Sequence, residues 1–95
     1  MERRAFMTRD RLRTAGELLT DASHDADGDL RERIEGLAEQ LDDLADADRG
    51  PDHGRIARME NALNEIEAQL DGDARENVRA AHEHLSEYRS TVSGV

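Results

Sequence analysis

Hydrophobic residues recur at helical spacing in four successive runs along the chain. In the first, Leu12, Ala15, Leu19, Ala22 and Ala26 follow at steps of 3, 4, 3 and 4, which places them on one face of an α-helix. Leu18 widens this stripe and Ala5 with Thr8 extends it backward, so a helix is predicted over about residues 3–24. Gly16 lies inside it at a cost of up to about 1 kcal/mol relative to alanine, which marks a close contact with another helix. The second run, Leu30, Ile34, Leu37, Leu41 and Leu44, is the strongest, with Glu32, Arg33, Glu35, Glu39, Asp42 and Asp43 off the stripe; it predicts a helix over about 29–48. Ile56, Met59, Leu63, Ile66 and Leu70 repeat the same steps, with Ala62 alongside. Ala74, Val78, Ala81, Leu85, Tyr88 and Val92 form the last stripe, and residues 91–95 read as a fraying tail.

Turn chemistry separates the runs. Asp25-Ala26-Asp27-Gly28-Asp29 ends the first helix and starts the second, with Gly28 suited to positive φ and Asp27 or Asp29 to helix capping. Asp71-Gly72-Asp73 does the same between the third and fourth, unless those two helices run through Gly72 as one rod. Between the second and third lies Arg49-Gly50-Pro51-Asp52-His53-Gly54-Arg55, where Gly50 can close a helix and Pro51 can open one.

The two halves also match each other. Shifting the chain by 44 residues lays Asp27-Gly28-Asp29-Leu30-Arg31-Glu32 over Asp71-Gly72-Asp73-Ala74-Arg75-Glu76, and every stripe position falls on a stripe position. From Arg11 to Leu44 the shift gives nine identities in 34 positions, which points to an internal duplication. The predicted fold is therefore all-α: an antiparallel helical bundle of two αα-hairpins in a single domain, 1–95. The hairpins take about 3–48 and about 55–90, with a hinge at 49–55. The core is thin, since 13 of the hydrophobic residues are Ala, with one Phe, one Tyr and no Trp. So small a domain gains little from burial alone, and completion by homodimerisation is expected.

Charge changes the picture next. All 13 basic residues are Arg, with no Lys, against 12 Asp and 11 Glu, for a net charge of -10. Self-repulsion on such a surface is screened at about 1 M salt, where the Debye length falls to roughly 3 Å. An acidic, Asp-rich, Lys-free composition suits a salt-accumulating archaeal cytoplasm. The start carries no apolar segment of signal length and nothing approaches a membrane span, so a soluble cytoplasmic protein is expected. Nucleic-acid binding is disfavoured, because it requires a positive face. The Arg-rich start, Arg3, Arg4, Arg9, Arg11 and Arg13, is expected to pair with acids along its own helix.

Candidate chemistry is sparse. Ser23, Asp25, Asp27 and Gly28 imitate the opening of a calcium-binding loop, but its twelfth position holds Ile34 where a bidentate Glu is needed. No two of the four His stand at i, i+4, and His82 and His84 flank the last stripe on opposite sides, so no metal site is expected. His24-Asp25 is similar to the metal-binding dyad of HD-type phosphohydrolases, without the further ligands. The dense Glu cluster of all-helical nucleotide pyrophosphohydrolases is absent. With no Cys, no phosphate loop, no dinucleotide fingerprint and no nucleophile elbow, neither a catalytic set nor a cofactor is expected. One constellation carries a ligand reading: Arg49, His53, Arg55 and Arg58 surround the start of the third helix, a ready place for a phosphate or carboxylate. The competing account has Asp52 capping that helix and pairing with Arg55.

The hinge heptapeptide, followed by Ile56-Ala57-Arg58 and flanked by the stripes, resembles a family of short acidic proteins of halophilic archaea with no assigned function, over roughly residues 8 to 90. The resemblance implies a cytoplasmic location and no activity. The resulting expectation is a non-enzymatic interaction or accessory protein with a protein partner. Its rivals are a binder of, or enzyme on, a small anion at the hinge and, third, an acidic DNA mimic.

Overall fold

A computed structural model describes residues 2–46 and 53–93, with side chains over 10–46 and 53–90. Four helices follow in order: α1 (Glu2–Ser23), α2 (Gly28–Asp46), α3 (His53–Ala68) and α4 (Gly72–Ser93). Each hairpin turn is built the same way. At the end of α1, His24 N, Asp25 N and Ala26 N donate to the carbonyls of Asp21, Ala22 and Ser23, tightening the last turn. Gly28 then takes φ +57° and Arg31 N donates to the Asp27 carbonyl as α2 begins. The second hairpin repeats this, with Gln69 N and Leu70 N bonded to Ile66 and Glu67 carbonyls, Gly72 at φ +62° and Arg75 N on Asp71 O. These glycines hold a conformation that a Cβ disfavours. The continuous rod through Gly72 is thereby excluded.

Two expectations are corrected. The last helix runs through Ser93 and takes in residues 91–93 of the expected tail, since no breaker precedes Gly94. Arg11 and Arg13 pair between helices and not along α1: Arg13 Nη2 reaches Asp46 Oδ1 of α2 at 2.7 Å, and Arg11 Nη2 lies 3.8 Å from Glu87 Oε2 of α4. Both Arg lie on the flanks of the α1 stripe, one toward each neighbouring helix. Arg3, Arg4 and Arg9 have side chains outside the described residues, as do Arg49, Gly50, Pro51 and Asp52 of the hinge.

The stripes meet in one core. Leu12, Leu19, Ile34, Leu41, Ile56, Leu63, Ile66, Val78 and Leu85 are fully buried, so apolar faces from all four helices are covered within one chain. Ser23, also fully buried, donates its hydroxyl to Thr20 O at 2.6 Å and so leaves no polar group unsatisfied at that point. The 44-residue shift carries buried positions onto one another: Leu12 on Ile56, Ala15 on Met59, Leu19 on Leu63, Ile34 on Val78, Leu41 on Leu85 and Leu44 on Tyr88.

The four seams between the helices are nevertheless unequal. α1 packs extensively along both α2 and α4, α3 packs along α4, and α2 and α3 scarcely touch. Within hairpin 1, Gly16 explains the close pairing: a Cβ there would lie 3.3 Å from Asp42 Oδ1 and 3.5 Å from the Ala38 carbonyl of α2. Its counterpart in hairpin 2 is Glu60, which needs room and polar partners. Under the same pseudo-symmetry, the α1–α4 seam corresponds to the α2–α3 seam, and one is closed while the other is open.

Candidate functional site

The open seam is a groove of about 520 Å³ lined by Arg33, Gly36, Leu37 and Gln40 of α2 and by Arg55, Arg58, Met59 and Ala62 of α3. Moving these positions by 44 residues gives Asn77, Ala80, Ala81 and His84 on α4 and Arg11, Thr14, Ala15 and Leu18 on α1. The difference accounts for the gap. The closed seam has Ala15 and Ala81 at the buried positions where the open one has Met59 and Leu37, so its helices can approach. Arg33 and Arg58 stand in place of Asn77 and Thr14, adding bulk and like charge to both walls.

Among the described residues, no acidic residue lines the groove, although the chain carries 23 Asp and Glu. Its three arginines are not equivalent. Arg33 forms an ion pair with Glu65, which neutralises that end. Arg58 is exposed and makes no hydrogen bond or ion pair with a described residue, whereas Arg55 is partly buried and has an interaction of its own. α2 and α3 run antiparallel, so Gln40, seven residues after Arg33, lies toward the Arg55–Arg58 end, about 10 Å along the groove at the helical rise.

Of the residues singled out around the hinge, the structure brings Arg55 and Arg58 together on one wall. His53 is exposed at the first residue of α3 and does not line the groove, and Arg49 lies outside the described residues. The concavity follows the flanks of two helices and reaches the first turn of α3 at Arg55. Arg33, Gly36 and Gln40, which complete it from α2, were missed because the local reading stayed within one contiguous stretch. The 44-residue shift held the signal, since it sets large residues against small ones at equivalent buried positions.

A second polar cluster clasps α3 to α4. Glu60 accepts hydrogen bonds from Ser86 Oγ and from Arg89 Nη1, both at 2.6 Å, and His82 Nε2 lies 3.4 Å from its Oε2. Burial would raise the Glu60 pKa, but the hydrogen bonds from Ser86 and Arg89, with the charges of Arg89 and His82, outweigh it and hold the carboxyl below its ordinary value. A depressed folded-state pKa means that the clasp stabilises above the unfolded carboxyl value, about 4.3, and weakens as pH falls through the folded one. Glu60→Gln is therefore expected to lower stability by up to about 1.5–3 kcal/mol near pH 7, the range for hydrogen bonds to a charged group. Urea denaturation should show its difference from wild type narrowing below about pH 4; a pH-independent difference would mean that the carboxylate charge is not what the clasp uses.

Two further features carry no site. The Asp-Gly-Asp turns meet at one end of the bundle, where Asp25, Asp27, Asp71 and Asp73 rim a hollow with Leu30, Leu70 and Ala74. Among the described residues, however, no three His, Asp or Glu are placed to hold a metal ion. His84, on the side of α4 opposite His82, has a buried Nδ1 with no hydrogen-bond partner among the described residues. Nor is any described helix long and apolar enough to cross a membrane.

No curated protein and no solved structure matches the chain. A family model does, across residues 7–91, which takes in most of each stripe, the hinge and both walls of the groove. The chain belongs to DUF7553, a family of unknown function.

Proposed function

We propose that this chain is a non-enzymatic binding and accessory module of a salt-rich archaeal cytoplasm, and that its α2–α3 groove receives an anionic group. One observation carries the reading: among the described residues, three arginines and no carboxylate line the groove of a protein with a net charge of -10, and one of them, Arg58, makes no hydrogen bond or ion pair with a described residue. Where acids outnumber bases nearly two to one, such a concavity focuses positive potential, and guanidinium groups match the geometry of carboxylates and phosphates. The lack of a catalytic set in the sequence supports binding over turnover. The acidic, lysine-free composition supports the salt-rich setting.

Calorimetric titration of adenosine monophosphate and citrate, as phosphate and carboxylate probes, tests the proposal. Saturable binding that weakens about tenfold or more in Arg58→Ala is expected, a loss within the range of one charge-assisted contact. Identical traces for wild type and variant would remove the groove from consideration. The setting is checked by circular dichroism from about 0.1 M to multi-molar KCl, with helicity expected to rise as repulsion is screened.

A further inference from the structure

We propose that the anionic group received at the α2–α3 seam is a carboxylate of a second copy of this chain. Two copies pack face to face across their open seams as a two-fold dimer, with Glu32 of each on Arg58 of the other. This inference rests on the anion-binding reading and names the source of the anion.

Arg58 stands apart from the other arginines. Among the described side chains it alone of that type makes no hydrogen bond or ion pair with a described residue. It is exposed on α3, and on α2 Asp29 and Glu32 are exposed and equally without a described partner. Helical spacing brings both sets to one outward face: Asp29, Glu32, Gly36 and Gln40 follow at steps of 3, 4 and 4, and Arg58, Ala62 and Glu65 at steps of 4 and 3. The Arg33–Glu65 ion pair joins the residues three before Gly36 and three after Ala62, so in the antiparallel pair Gly36 and Ala62 lie level. Glu32 and Arg58 are each four residues from that level but on opposite sides of it, so within one chain they stand about 12 Å apart along the helices.

A two-fold axis normal to the face, between Gly36 and Ala62, exchanges its two ends. It lays Arg58 of each copy over Glu32 of the other, with Asp29 one turn beyond, so the complementary contact is made twice. It also sets Gly36 of each copy against Ala62 of the other, where small residues let the helices approach. A Cβ added at Gly36 would meet nothing within 4 Å in the single chain, so the space above it is free for the second copy. A like-charged meeting in this register, Glu39 with the second copy's Glu65, is offset by the Arg33 that already pairs with that glutamate. Leu37 and Met59 are covered within the chain, so the interface is polar and its specificity comes from charge. The bundle measures 40 × 23 × 18 Å, and one long face supplies the roughly 800 Å² per partner of a standard interface. Two chains of net charge -10 repel each other; at about 1 M salt, distant charges are screened and contact pairs much less so.

Sedimentation equilibrium in about 1 M KCl tests the proposal on wild type, Arg58→Glu, Glu32→Arg and the double variant, with circular dichroism reporting the fold. Wild type is expected to dimerise. Each single variant puts like charges at both contacts and should weaken the dimer about tenfold or more. Helicity should stay unchanged, because both side chains are exposed. The double variant reverses each pair and should regain the wild-type affinity. It also restores the net charge, so Arg58→Glu combined with Glu17→Arg, an exposed site on α1, is the control and should remain weak. Gly36→Leu should block association by bulk alone. A wild type that stays monomeric at millimolar concentration, a dimer indifferent to Arg58→Glu or to Gly36→Leu, or equal restoration by Glu17→Arg would overturn the dimer. Citrate separates this outcome from the anion reading: a monomeric wild type that binds citrate more tightly than Arg58→Glu does leaves a small anion as the occupant, and a monomer that does not bind citrate removes both.

Discussion

Replacing Leu41 by alanine is expected to lower folding stability by about 2–5 kcal/mol, the cost of removing a large buried side chain that its surroundings cannot fully replace. Leu41 has no exposed surface and faces α1 beside Gly16, with its Cβ 3.9 Å from a Cβ built at Gly16. That proximity limits relaxation, since the helices already approach as far as Gly16 permits. A domain of this size has only about 5–15 kcal/mol in total, so the variant would lie near the edge of folding. Urea denaturation measures the effect, and the melting temperature should fall by about 4–8 °C per kcal/mol. Leu18→Ala is the control. Leu18 is half-buried against the core, so the same truncation should cost less than half as much. Equal losses at the two sites would show that core burial does not rank these positions.

Ala81→Leu should produce the second large effect, through crowding. Ala81 is fully buried in α4, at the position corresponding to Leu37 on the open seam. Added methylene groups in a closed seam force shifts of side chains and helices that typically cost about 1–3 kcal/mol. At the equivalent open position, the volume-conserving Leu37→Met should cost less than about 1.5 kcal/mol. Denaturant unfolding of the two variants gives the comparison directly. A neutral Ala81→Leu would mean that small side chains are not what lets α1 and α4 approach, and the explanation of the open groove would fall with it.

Much of this architecture is legible in the sequence. The stripe positions Leu12, Leu19, Ile34, Leu41, Ile56, Leu63, Val78 and Leu85 were identified by spacing alone, and all are fully buried. Periodicity reports burial because only one face of an amphipathic helix can be covered. Gly28 and Gly72 were expected to turn the chain, and both have positive φ. Gly16 was expected to mark a close approach, and Ala38 and Asp42 of α2 stand within 4 Å of its missing Cβ.

What escaped the sequence reading concerns pairs of helices. The expected pairing of Arg11 and Arg13 along α1 failed because each guanidinium can reach a neighbouring helix as readily as the next turn, and no local rule chooses between them. The Glu60 clasp was missed for a related reason. A glutamate on α3 looks like any solvated residue until Ser86, His82 and Arg89 of α4 are brought against it. Arg55 and Arg58 lie within one contiguous segment, but Arg33 and Gln40 reach the same groove from 15 or more positions away along the chain.

The sequence by itself determined four amphipathic helices, two glycine turns and a duplicated hairpin, because those depend on local spacing and on the backbone freedom of single residues. Only the tertiary structure decided that the α1–α4 seam closes while its pseudo-symmetric counterpart, α2–α3, stays open. That outcome depends on side-chain volume and charge summed across two helices, Met59 and Leu37 with their arginines against Ala15 and Ala81. No stretch of chain read alone contains that sum.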